Sequence, residues 1–260
     1  MLCVISPAKR LDESPRALPE GQALTRPDFL AETWKLVQAA RGQSVEDLRR
    51  LMDLSEPLAR LNRDRFAAFR RSPAAPFAAV QCFAGDTYAG LEVATMETDA
   101  RHWAEGHLRI LSGLYGLLRP WDAIQPHRLE MGTRLENPRG ADLYAFWGDR
   151  VARALNRQAA AMGTGVLVNC ASVEYFTVAR RKALKLQVIT PVFLEEKAGE
   201  AKVVSFFAKR ARGAMARWLC DHHLTDPADL QGFAIGGYAY RADLSAADRP
   251  VFSRALQEAA

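Results

Sequence analysis

Apolar residues fall along this chain in two rhythms: short unbroken runs, and stripes three or four residues apart. The runs "MLCVIS" at 1–6, "AAVQCF" at 78–83 and "GVLVNCAS" at 165–172 read as buried strands. "QVITPVFLEEK" and "AKVVSFF" flank a charged turn at Gly199 and read as a β-hairpin. "RLEMG" at 128–132 and part of "GFAIGGYAYRADLS" at 232–245 predict two further short strands, with Pro250 breaking the tail.

The stripes predict helices. From Pro27, Phe29, Leu30, Trp34 and Val37 recur near helical spacing. A second helix follows Ser44, with Asp47 at the spacing of a capping box. "EPLARLNRDRFAAFRR" reads as a tight turn and a third helix, and "GDTYAGLEV" as a turn into a short one. Residues 98–118 read as mostly helical up to the glycines of "GLYG", and 142–163 as one long amphipathic helix stopped by Gly163. Pro-, Gly- and charge-rich stretches at 12–27 and 72–77 read as loops. With no repeat or linker, residues 1–260 predict one α+β domain of mixed sheet and helices, not a common superfold.

Composition narrows the class. The chain of 260 residues is 49% hydrophobic and 25% charged, the profile of a soluble globular protein. No apolar run approaches the roughly 20 residues of a membrane span, and the N-terminus lacks a signal-peptide pattern. A cytoplasmic protein without a membrane partner is therefore expected. Cys3, Cys82, Cys170 and Cys220 form no C-x-x-C pair, and three lie in apolar runs, which predicts buried reduced thiols. The net charge of +5 permits a nucleic-acid or phosphate partner without requiring one.

That excess is concentrated. Residues 175–220 carry ten Lys or Arg against three Asp or Glu. Within them, "SFFAKRARGAMARW" at 205–218 splits cleanly on a helix at about 100° per residue. Lys209, Arg210, Arg212 and Arg217 share an arc of about 160°, opposite Ala211, Ala214, Met215, Trp218 and Leu219. Gly213 and Ala216 lie among the basic residues, where their small size would let a phosphate backbone approach. The same pattern also suits an ordinary solvated face. A second candidate is the stretch 44–71, read as helix, turn, helix with the turn at "LARLN", 58–62. Helix-hairpin-helix DNA-binding modules use such a turn with two glycines, whose positions are taken here by Arg60 and Asn62, followed by Arg63.

Signs of enzyme chemistry are sparse. Ser6 and Lys9 have S-x-x-K spacing without the other acyl-enzyme elements. The five histidines show no metal-ligand spacing, and no phosphate-loop or dinucleotide motif is present, so neither metal nor cofactor is called for. Asp86, Tyr88, Asn169, Ser172 and Glu174 follow turn or strand ends, where site residues are often placed. Asp86, Tyr88, Asn169 and Ser172 could line a pocket for a small anion with Ser6, Lys9 and Arg210.

Several segments in order, "VISPAK", "GDTYAGL", "HLRILSGLYGLLRPWDAIQPHRLEMG", "DLYAFWG", "NCASVEYF" and "VVSFFAKRARGAMARW", resemble the YaaA family along essentially the whole chain. The resemblance implies a bacterial cytoplasmic protein of the peroxide-stress response. It also implies DNA binding through a basic cleft with a helix-hairpin-helix element, and a fold unlike the common superfolds. The primary expectation is a protein without a required protein partner that contacts phosphates of double-stranded or distorted DNA non-specifically. Lys209, Arg210, Arg212 and Arg217 are the main contacts, and Arg60, Asn62 and Arg63 the second. The alternative is an enzyme acting on a small anionic or nucleotide-like substrate near Ser6, Lys9 and Asn169.

Overall fold

The computed structural model describes residues 1–197 and 199–255. The chain opens with β1 (Leu2–Ile5), four consecutive buried residues, followed by the short β2 (Arg10–Leu11). Three helices come next, α1 (Leu30–Arg41), α2 (Val45–Met52) and α3 (Glu56–Ala68). The predicted capping box is present: Ser44 Oγ accepts from the Asp47 N–H at 3.1 Å, and the Ser44 N–H donates to the Asp47 carboxylate at 3.1 Å. The turn between α2 and α3 is Asp53 to Ser55, with Asp53 left-handed at φ 49°. The turn expected at 58–62 does not exist. Those residues lie inside α3, where Ala59, Asn62 and Phe66 form a buried stripe at helical spacing.

The segment expected as one strand at 78–83 is divided into β3 (Phe77–Ala78), the four-residue α4 (Ala79–Cys82) and β4 (Phe83–Ala84). A short helix, α5 (Asp86–Leu91), and α6 (Thr98–His107) follow. The helix expected to continue to the glycines of "GLYG" stops at His107. Beyond it come β5 (Leu108–Ser112), buried at all five positions, and β6 (Gly116–Leu118). A strand covered on both faces loses the alternation that marks half-buried strands, so β5 carries no period-2 signal. "GLYG" is thus a strand-to-strand turn, not a helix end. Gly113 lies where a Cβ would meet the Leu129 carbonyl oxygen at 2.2 Å.

After β7 (Ala123–Ile124), residues 128–132 form no strand, contrary to expectation. The predicted long helix is two, α7 (Leu143–Trp147) and α8 (Arg150–Ala161), parted at Gly148 with φ 50°. Next come β8 (Val166–Cys170), the four-residue α9 (Val173–Phe176), β9 (Gln187–Ile189), β10 (Val192–Lys197) and β11 (Glu200–Lys202). The hairpin around Gly199 is the pair β10–β11, while β9 belongs to another sheet. The basic segment is α10 (Ser205–Asp221), which takes in Ser205–Phe207, three residues expected as strand. The described chain closes with β12 (Ala239–Tyr240) and β13 (Val251–Ala255).

These elements make a mixed α and β protein. The main sheet has the order β6-β5-β1-β8-β9. β1 is parallel to β5 and β8, β8 is parallel to β9, and only β6 runs antiparallel. A second sheet, β11-β10-β13-β12, packs beside it through α10. The core joins β1, β5 and β8 to the buried sides of α5, α8 and α10. All four cysteines are free and buried within it, as expected. Burial pushes the Cys82 thiol up to about 12 and raises Cys220 as well. Among the described residues no helix is long and apolar enough to cross a membrane.

One feature of this topology positions the candidate site. The chain leaves β1 toward β5 on one side and leaves β8 toward β9 on the other. The onward connections from the neighbouring C-terminal ends of β1 and β8 therefore diverge, and a crevice outside such strand ends is where open parallel sheets bind ligands.

Candidate functional site: a basic cleft at the strand ends

Ser6 follows β1 directly and Ser172 lies just beyond β8, one on each side of this crevice. They are tied across it. The Ser172 N–H donates to Ser6 Oγ at 2.9 Å, and the two hydroxyls are 3.4 Å apart. Tyr88 donates its hydroxyl to the Ser6 carbonyl at 3.2 Å. Asn169 accepts from the Ala171 N–H at 3.1 Å and donates to Thr190 Oγ1 at 3.3 Å. Tyr88 and Asn169 are thus buried supports behind the two turns rather than walls of a pocket.

In front of the turns is a cleft of about 530 Å³, within the roughly 300–1,000 Å³ of small-ligand sites. Its walls include Ser6, Lys9, Arg10, Asp86, Ser172, Glu174, Lys209 and Arg212. The structure therefore brings Ser6, Lys9, Asp86 and Ser172 together with two residues of the basic helix. Lys9 Nζ stands 3.7 Å from Glu130 Oε1, which also accepts from Arg128 Nε at 2.7 Å. The other Glu130 oxygen is buried without a partner. Glu174 accepts from the Gly132 N–H at 2.9 Å.

Arg212 stands apart from the other wall residues. It is half-buried, burial lowers its pKa, and its guanidinium has neither a hydrogen bond nor an ion pair to any described residue. An arginine stays protonated in proteins, and a desolvated charge without a counter-ion is costly. Such a group is poised for an anion brought from outside. Lys209 beside it is exposed and likewise unpaired among the described residues. Four cations line the cleft against the carboxylates of Asp86 and Glu174. That balance suits a phosphate more than a cation.

The helix itself does not present an open basic face. Gly213 and Ala216, expected to admit a phosphate, are buried. What they admit is α5. A Cβ on Gly213 would stand 1.8 Å from the Thr87 carbonyl oxygen, and one on Gly90 would stand 2.0 Å from that of Arg210. Two glycines face to face let α5 and α10 approach at backbone distance, which carries Asp86 and Thr87 to the cleft wall. The centre of the predicted basic arc is thus a helix contact, and its cations are pushed to the edges.

Those edges differ. Lys209 and Arg212 face the cleft, and Arg210 is exposed. Arg217 is engaged in the fold: it binds Asp221 at 2.6 Å and donates to the Glu92 carbonyl at 2.8 Å, Thr95 Oγ1 at 2.8 Å and the Thr95 carbonyl at 3.0 Å. The residues expected as a second contact lie elsewhere, on α3. Arg60 binds Glu56, Arg63 lies 3.3 Å from Asp64, and Asn62 is buried with its amide donating to the Leu58 carbonyl at 2.8 Å. Sequence reasoning missed Arg10 as a wall residue. Its position four residues after "VIS", next to Lys9, is a signal that the strand-end rule could have used. Among the described residues, no three His, Cys, Asp or Glu side chains are grouped to hold a metal ion.

Fold and cleft together define a mixed α/β protein with a cation-lined crevice at the switch point of a mostly parallel sheet. Its relatives agree in sequence along the whole length. The chain belongs to the family described as Peroxide stress protein YaaA, whose sequence model matches residues 1–244. A UPF0246 protein of Cereibacter sphaeroides strain KD131 is 61% identical over 98% of this chain and 100% of its own. UPF0246 proteins of Ruegeria pomeroyi, 57% identical over 99% of this chain and 100% of that one, and of Jannaschia sp., 54% over the full length of both, are similar in the same way.

Proposed function

We propose that this protein acts in the peroxide-stress response by binding phosphates of DNA at the cleft between β1 and β8. The observation that carries the reading is Arg212, a half-buried guanidinium without a partner, set beside unpaired Lys209. Arg10 and the exposed Arg210 extend the positive surface on either side of it. Contacts of this kind read the backbone rather than the base sequence. Ferrous iron converts peroxide into hydroxyl radical, which attacks DNA, and a protein seated on the backbone covers that target.

A second reading is an enzyme for a small phosphorylated, nucleotide-like substrate. It is favoured by one feature: Ser6, Ser172, Lys9 and Asp86 converge in a concave site instead of spreading along a groove. Fluorescence anisotropy with labelled duplex and single-stranded DNA at several salt concentrations separates the two. DNA binding predicts affinity that falls steeply with salt and weakens when Arg212 and Lys209 are both replaced by Ala. Tight, saturable binding of deoxynucleoside monophosphates without measurable DNA binding at low salt would overturn the primary reading in favour of the second.

A further inference from the structure

Two exposed apolar side chains, Val173 and Phe206, sit on the segments that bound the cleft without being wall residues themselves, and Phe206 touches Phe207 edge-on. Val173 is 75% exposed and lies between Ser172 and Glu174, both of which line the cleft. Phe206 is 52% exposed and sits one turn before Lys209 on α10, so the two side chains are neighbours on the helix surface. Single exposed hydrophobics are common. Here the exposed aromatic ring lies one helical turn from a cation that lines the cleft. Aromatic surfaces beside basic residues are how proteins hold unpaired nucleotides, because every base offers a face for stacking.

We propose that the cleft takes one unstacked nucleotide, with its phosphate on Arg212 and Lys209 and its base against Phe206, bordered by Val173. The proposal rests on the phosphate-binding reading above and adds the base contact to it. The cleft volume of about 530 Å³ suits a ligand of that size. The nucleotide could be free or part of a strand, and the chemistry recognised is the same.

The test compares wild type, Phe206→Ala, Phe206→Trp and Arg212→Ala on four probes: a single-stranded oligonucleotide, the same strand with abasic sites, a deoxynucleoside monophosphate and deoxyribose 5-phosphate. Wild type is expected to bind the base-bearing probe of each pair about ten-fold more tightly than the base-less one. Phe206→Ala should abolish that difference, Phe206→Trp should preserve it, and neither should alter the salt dependence. A preference seen only with the strand identifies a nucleotide within DNA, and one seen with the monophosphate identifies a free nucleotide. Phe206 is half-exposed, so the variants should melt like wild type. If Phe206→Ala leaves the preference unchanged while Arg212→Ala still weakens binding, the base contact is wrong and the phosphate site stands. If Arg212→Ala also has no effect, both fail.

Discussion

Arg212 and Arg217 lie on one helix, five residues apart, and have opposite environments. Arg217 spends its guanidinium on Asp221 and on the backbone at Glu92 and Thr95, and so ties the C-terminal half of α10 to the segment after α5. Arg212 faces the crevice between β1 and β8 without a partner among the described residues. The side chains are identical, and both fall in the predicted basic arc. What separates them is α5, which covers the middle of that arc through Gly90 and Gly213. Charge counted along a helix therefore says how many cations there are. Only the neighbouring element says which ones remain available.

The contrast breaks most completely if the glycine contact is lost. Gly213→Ala puts a Cβ into the Thr87 carbonyl, and overpacking of this kind costs about 3 kcal/mol. Thermal denaturation should show a fall of roughly 6–12 °C, with Asp86 moved from the cleft wall. An unchanged melting temperature would mean that α5 and α10 are not held at backbone distance.

A buried base that is satisfied sharpens the comparison with Arg212. His127 lies between Phe83 and Tyr115, with Nδ1 2.9 Å from the Gln125 carbonyl, which fixes Nδ1 as the donor. Burial lowers its pKa to about 4. Between about pH 6.5 and 4 the unfolded chain takes up a proton that the folded chain does not. His127 thus has its full effect above about pH 6.5, and stability is lost as the pH falls toward 4, by about 3 kcal/mol. Denaturant titrations of His127→Gln at pH 7 and pH 4.5 should show a smaller pH dependence than wild type; an equal dependence would place the acid sensitivity elsewhere.

Arg217→Ala should cost about 1–2 kcal/mol, because charged hydrogen bonds to backbone carbonyls are lost. It should leave the salt dependence of DNA binding alone. The smallest effect belongs to α3. Arg60 makes an exposed pair with Glu56 one turn away, so Arg60→Ala should change stability by less than about 0.5 kcal/mol and leave DNA binding unchanged. A clear loss of DNA affinity would restore α3 as a contact.

Parts of this molecule were legible in the sequence for local reasons. The capping box at Ser44 and Asp47 needs only two residues three positions apart. The run at 166–170 is apolar enough to be buried wherever it goes, and Gly199 marks the β10–β11 hairpin by its conformational freedom, with φ 84°. The strand-end placement of Ser6 and Ser172 followed from the same local reading. The failures are non-local. β5 reads as a helix because all five of its positions are buried, and its sheet partner β1 and the helix α9 against it are distant in sequence. The supposed turn at 58–62 rested on likeness to a motif and ignored the Ala59, Asn62, Phe66 stripe. Gly213 looks like an opening toward solvent until Gly90, more than a hundred residues earlier, is placed against α10.

The proposed function has Arg212 as a phosphate contact and Arg217, engaged in the fold, as none. It is tested most directly by the slope of log binding constant against log salt for DNA, measured for wild type, Arg212→Ala and Arg217→Ala. Removing one phosphate contact should reduce the slope by about 0.9 in Arg212→Ala, with no loss of thermal stability, while Arg217→Ala keeps the wild-type slope and melts lower. An unchanged slope in Arg212→Ala, or a reduced one in Arg217→Ala alone, would contradict the account.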